Sequence, residues 1–240
     1  MKKAIPSFIT CLAILAGCMS IAASVKNNLT LAGYFILIAA LFDFLDGMFA
    51  RLLGAITAFG KQLDSLADAV NFGVAPAMIV FYLMMDSLQN HPEINGFAFS
   101  VFYYSPFIIV IFAILRLAKF NVDVTQTKNF KGLPTPATAL FVASLGIYAE
   151  KPGNPPLNEL TGNMWFLLMI VMILSLLMVT GISMFSLKFE NFSFENNWPR
   201  YVLVVSSLMM IIFLGLSGIT MAIILYIILS FLVNLMHTKI

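Results

Sequence analysis

Four of the chain's eleven acidic residues, Asp43, Asp46, Asp64 and Asp68, fall within a stretch of 26 positions inside apolar segments. An aspartate at the centre of a membrane helix costs about 2.5–3.5 kcal/mol, so four uncompensated ones would cost on the order of 10 kcal/mol. Placement near helix ends lowers that cost but does not remove it, and ionisable groups at membrane depth point to function. Carboxylates are hard oxygen ligands suited to hard divalent cations. Four of them balance two such ions, and two metals ~4 Å apart steady both the entering and the leaving oxygen of a phosphoryl transfer. Asp43, Asp46, Asp64 and Asp68 are therefore the expected metal ligands. Arg51 offers a planar donor fork for phosphate, and Lys61 supplies a second cation nearby.

The elements that must hold these groups follow from their spacing. At 100° per residue, Asp43, Asp46, Gly47, Ala50 and Arg51 share one face of a helix. Gly60, Asp64 and Asp68 are successive i+4 steps and line one face of the next. The connection, 54–62, is short, so the two helices are expected to be antiparallel neighbours with their aspartate faces together. Gly47 and Gly60 leave bare backbone against which a ligand can lie.

The rest of the sequence describes a membrane bundle. Hydrophobic residues make up 61% of the 240 and charged residues only 10%, against about 25% in a soluble domain. That balance excludes a soluble enzyme and a disordered tail. A net charge of +2 is too small to define a nucleic-acid surface. Cys11 and Cys18, both in the first apolar segment, indicate neither a disulfide framework nor a zinc site. Eight apolar segments approach the ~20 residues that a span requires: 6–24, 30–53, 63–85, 98–119, 134–150, 164–187, 201–216 and 218–236, of which the fifth and seventh are short. The last two form a tight hairpin at Gly215-Leu216-Ser217-Gly218, because one helix through both would be about 54 Å long. The expected fold is an all-α integral membrane protein, with residues 1–240 as one membrane-embedded catalytic domain.

Alternating the spans from a cytoplasmic N-terminus places eleven Lys and Arg residues on the cytoplasmic side (Lys2, Lys3, Arg51, Lys61, Arg116, Lys119, Lys128, Lys131, Lys188, Arg200 and Lys239) and only Lys26 and Lys151 opposite. Both termini and the aspartate site are then cytoplasmic. The segment from Lys2-Lys3 to Leu15-Ala16-Gly17-Cys18 also has the form of a cleaved lipoprotein signal; a retained first span is preferred. The short N-terminus without an organelle-targeting stretch favours a bacterial plasma membrane. His91 and His237 have no constellation around them.

Written out, Asp43-x2-Asp46-Gly47-x2-Ala50-Arg51-x8-Gly60-x3-Asp64-x3-Asp68 resembles the signature of the CDP-alcohol phosphatidyltransferases at all eight positions and all spacings. The flanks resemble the serine-using branch of that family: Gly60-Lys-Gln-Leu-Asp-Ser-Leu-Ala-Asp-Ala-Val-Asn-Phe-Gly-Val-Ala-Pro76, Arg116-Leu-Ala-Lys-Phe-Asn121 and Phe130-Lys-Gly-Leu-Pro-Thr-Pro136. Ile5-Pro-Ser-Phe-Ile-Thr10 resembles the family's opening segment, with Ser7 where Asn is usual. The likeness covers roughly residues 5–140, and the last three spans carry little beyond hydrophobicity.

The resemblance implies a six-helix core plus two further helices, a homodimer and a divalent metal. It implies that CDP-diacylglycerol and L-serine are converted to phosphatidylserine and CMP. By the same resemblance, Asp43, Asp46 and Asp64 hold one ion, and Asp43, Asp64 and Asp68 the other. Gly47, Ala50 and Gly60 pack on the cytidine, Arg51 contacts the phosphates, and Asp68 is also the catalytic base. For the acceptor head, Asn71, Arg116, Lys119 and Asn121 are the candidates. Two other readings stay open: another acceptor such as glycerol 3-phosphate, for which Lys128 and Lys131 would be of use, or inositol; and a cation-coupled transporter.

Overall fold

The structure, a computed structural model, describes residues 4–122, 130–149, 159–184 and 194–237. Lys2, Lys3, Lys128, Lys151, Lys188 and Lys239 lie outside them, as does the side chain of His237. The long helices are α1 (Ala4–Val25), α2 (Leu29–Leu52), a third span built from α3 (Ala58–Asp68), a π-helical segment (Ala69–Val74) and α4 (Ala75–Gln89), and a fourth built from α5 (Gly96–Tyr104), a 3₁₀ turn (Ser105–Phe107) and α6 (Ile108–Val122). Then come α7 (Thr135–Ala149), α8 (Met164–Val179), α9 (Phe194–Leu214) and α10 (Ser217–His237). Two-residue strands β1 (Phe130–Lys131) and β2 (Ser183–Met184) pair antiparallel, Lys131 opposite Ser183.

The chain is a multi-pass membrane protein. Among the described residues, six helical segments are long and apolar enough to cross a bilayer, and α7 and α8 are shorter apolar helices. At 1.5 Å per residue, α7 and α8 reach only about 22–24 Å. Their outward side chains are the kind that lipid solvates: Phe8, Phe44, Trp165, Phe213 and Phe231 are all exposed.

All eight expected segments are found as helices, but three differ in extent. The third runs over Ala58–Gln89 rather than 63–85, because Thr57 caps the helix early and the connection after α2 shrinks to 53–57. The sixth stops at Val179 rather than running to 187, because Thr180 turns to extended backbone and the chain enters β2. The seventh is not short. It begins at Phe194, in a polar run that hydropathy passes over, and extends for 21 residues. The hairpin expected after it is present: Gly215 takes φ 64°, a left-handed value that costs glycine little, and the Gly218 N–H donates to its carbonyl. The hairpin is tied inward on both arms: Tyr148 Oη of α7 donates to the Leu214 carbonyl at the end of α9 at 2.9 Å, and Ser144 of α7 meets Thr220 of α10.

The core lies where α1, α2, α4, α6, α7 and α8 meet, around Ile36, Phe72, Ile79, Met84, Ile109, Val142 and Val171. Close approach depends on small residues. At Gly33 a side chain would run into α7 at Ala143 and Ile147, and at Gly146 it would meet Ile79. Gly17 of α1 abuts Asn71 of the π segment, so the first helix is an integral wall of the bundle.

Candidate active site

The turn between α2 and α3 sets the geometry. The chain leaves α2 through Gly54 at φ 58°, a left-handed conformation suited to glycine, and the Ala55 N–H bonds back to Ala50. Thr57 then caps α3 by accepting from the Gly60 N–H at 2.9 Å. With five residues between the helices, their aspartate faces meet as the spacing predicts. One carboxylate oxygen from each of Asp43, Asp64 and Asp68 lies within 4.8 Å of the others, and all three residues are half-buried. Carboxylates this close repel one another unless a cation neutralises them. Asp46, one turn along α2 from Asp43, is 4% exposed, and Thr10 of α1 bears on its carboxylate. Asp46 Oδ2 and Asp68 Oδ1 are buried without a hydrogen-bond partner. Hard anionic ligands, orphaned oxygens and short spacing together fit a divalent ion.

The flanking residues fall around this centre unevenly. Arg51 is exposed at the end of α2, and its guanidinium folds back over Gly47, where an added Cβ would sit 3.5 Å from Nη1. Gly47, Ala50 and Gly60 are partly covered, and Lys61 is exposed on the first turn of α3. Asn71 is wholly buried against Gly17, with neither end of its carboxamide hydrogen-bonded. The π segment carries it there by altering the helical phase after Asp68, so it does not simply continue the Gly60-Asp64-Asp68 line.

Arg116 is 9% exposed, lies within electrostatic reach of Asp68, and its Nε has no hydrogen-bond partner. It lines a small pocket with Lys119, Phe120, Lys131, Met178 and Val179. The β1–β2 pairing supplies Lys131, while the end of α8 supplies Met178 and Val179. The pocket thus gathers three cations. Asn121 has its amide nitrogen committed to Ser65 at 2.8 Å. Sequence reasoning missed Thr10, Ser65, Met178 and Tyr226. Tyr226, a buried residue of α10, lies in the electrostatic reach of Arg116. Two of the last three helices, α8 and α10, therefore bring residues to the site's surroundings, beyond the hydrophobicity expected of them.

A helical membrane protein that offers a carboxylate cluster and a neighbouring basic pocket defines a class, the membrane-embedded, metal-dependent transferases of phosphate-linked lipids. The sequence profile of the CDP-alcohol phosphatidyltransferases matches residues 3–180, and the chain belongs to that family. It is similar to the archaetidylserine synthase of Methanothermobacter thermautotrophicus, with 38% identity over 152 residues, 61% of this chain and 60% of the relative. It is also similar to two proteins named CDP-diacylglycerol–serine O-phosphatidyltransferase. The one from Mycobacterium leprae is 38% identical over 59% of this chain and 46% of its own length. The one from Helicobacter pylori is 30% identical over 93% of this chain and 87% of its own. The chain thus spans less than two thirds of the first two relatives.

Proposed function

We propose that the protein is a phosphatidyltransferase that converts CDP-diacylglycerol and L-serine to phosphatidylserine and CMP. The observation that carries this reading is the meeting of Asp43, Asp64 and Asp68 beside a pocket of cations. The names of the relatives support serine as acceptor. Asp43, Asp46 and Asp64 would hold one Mg2+ or Mn2+ ion, and Asp43, Asp64 and Asp68 a second. When bound, these ions neutralise the pyrophosphate and stabilise the oxygens that enter and leave.

The chain's own residues do the rest by positioning and charge. Gly47, Ala50 and Gly60 offer backbone to the cytidine, and Arg51 and Lys61 are free to swing onto the phosphates from exposed positions. Arg116 and Lys119 receive the serine carboxylate. Asp68 has two oxygens for two tasks, one as ligand and one to take the serine hydroxyl proton. The serine oxygen then bonds to the lipid-side β-phosphorus, and the phosphoanhydride bond breaks with its electron pair leaving on CMP. In this reading residues 1–240 act as one catalytic domain in a bacterial plasma membrane, with both termini and the site on the cytoplasmic side, and two copies form a homodimer.

The pocket of Arg116, Lys119 and Lys131 also suits a phosphate-bearing acceptor such as glycerol 3-phosphate. The deciding experiment offers the purified protein CDP-diacylglycerol, Mg2+ or Mn2+, and serine, glycerol 3-phosphate or inositol in turn, and measures CMP release. Serine alone should support turnover. Turnover with glycerol 3-phosphate and none with serine would establish the second reading.

A further inference from the structure

The third and fourth spans form a wedge. The π segment packs closely on α6, whereas α3 and α6 share no extended packing among the described residues. The two elements therefore diverge from a common vertex towards the end that carries the metal-site aspartates. Their facing residues follow an antiparallel order. Deeper in the wedge, Arg116 of α6 lies within electrostatic reach of Asp68 of α3. Nearer the opening, Asn121 Nδ2 donates to Ser65 Oγ at 2.8 Å across 56 residues of sequence.

That second rung is part of a relay. Ser65 Oγ spends its own proton on the Lys61 carbonyl at 3.1 Å, one turn back in α3. Its lone pairs are then turned towards Asn121, and successive hydrogen bonds polarise one another. The chain of donors runs from the end of α6, through Ser65, into the first turn of α3. Ser65 is the immediate neighbour of Asp64, and Asn121 lies two residues beyond Lys119. The bond thus fixes the cations that face the acceptor relative to the carboxylates that face the metal, at the one level where backbone packing does not.

We propose that Asn121 and Ser65 are positioning residues, a latch that sets the width of the acceptor entrance, and that Asn121 acts through Ser65 rather than by touching the acceptor. The proposal rests on the serine-transferase reading for the identity of the acceptor, but not for the existence of the latch. Releasing the latch lets α6 drift outward with Arg116 and Lys119, which weakens acceptor binding. The CDP-lipid, held from α2 and the first turn of α3, is left in place.

Steady-state kinetics on the full-length protein, with serine and CDP-diacylglycerol varied separately, test it. Loss of one hydrogen bond predicts a serine KM about three- to tenfold higher in Asn121→Ala and in Ser65→Ala, with kcat and the CDP-diacylglycerol KM held within about twofold. The double variant should be no worse than either single one, because both remove the same bond. Ser65→Thr, which keeps the hydroxyl, should restore the serine KM. An unchanged serine KM, additive effects in the double variant, or equal rises in both KM values would overturn the latch. If Asn121→Ala does not fold, the comparison of Ser65→Thr with Ser65→Ala decides alone: equal serine KM values overturn the proposal, and a selective rise in Ser65→Ala supports it. If the unaltered protein turns over another alcohol and not serine, the serine reading fails, and the same variants test the latch through that alcohol's KM.

Discussion

Asn is nearly the shape of Asp without its charge, so exchanging one for the other separates what the acidic triad does electrostatically from how it packs. With three carboxylate oxygens within 4.8 Å, the bundle should gain stability when a divalent ion fills the space. Binding to the folded state alone adds about 2.7 kcal/mol when the ion is present at a hundred times its Kd. The unaltered protein should therefore melt higher in Mg2+ or Mn2+ than in a chelator, and Asp43→Asn should lose most of that difference while melting no lower in the chelator, since a repulsive charge has gone. A melting temperature indifferent to metal in the unaltered protein would remove the site. Asp68→Asn asks a different question of the same cluster. It should still bind CDP-diacylglycerol yet release no CMP, and substantial turnover would exclude Asp68 as the base.

At the scale of elements, the predictable parts are those whose geometry is local. Asp43 and Asp46, and Gly60, Asp64 and Asp68, were placed by the helical period alone, and the short turn with its Thr57 cap brought the two faces together. The π segment was not legible, since Ala69-Val-Asn-Phe-Gly-Val74 reads equally well as ordinary helix. It is closed by packing, with Asn71 against Gly17 of α1 and Gly73 against Ala113 of α6. Those partners lie 54 and 40 positions away, and no periodicity within one segment reveals them. Gly17→Leu should consequently cost about 1–3 kcal/mol of stability, the range for overpacking a filled core. Gly181→Ala is the fitting control, because a Cβ there meets nothing within 4 Å. Thermal unfolding of the two variants measures the contrast; equal melting temperatures would mean that the α1 contact does not hold the π segment. The same limit hid the bond of Asn121 to Ser65, the nearness of Arg116 to Tyr226, and the pocket that Lys131 shares with the end of α8: each brings together segments that only the completed bundle makes neighbours.

For the whole molecule, the number of helices was legible from hydropathy because lipid demands a length and a composition, and the hairpin at Gly215 followed from the same demand. Which way the bundle faces depends instead on charge. Alternating the spans along the sequence assigns eleven of the thirteen basic residues to the side expected to carry the aspartate rim, and such a bias sets orientation during insertion. The proposed chemistry asks for the same orientation, since serine and CMP are polar and the acyl chains must stay in lipid. The turn between α2 and α3, where Ile56 is 74% exposed, should thus face the cytoplasm. The turn after α4, which holds His91, should face the other way. With Cys11 and Cys18 replaced by Ala, His91→Cys should react with a membrane-impermeant maleimide in intact cells. Ile56→Cys should react only after the membrane is opened. Labelling of Ile56→Cys in intact cells would put the acidic rim on the wrong side of the membrane for a cytoplasmic nucleotide product.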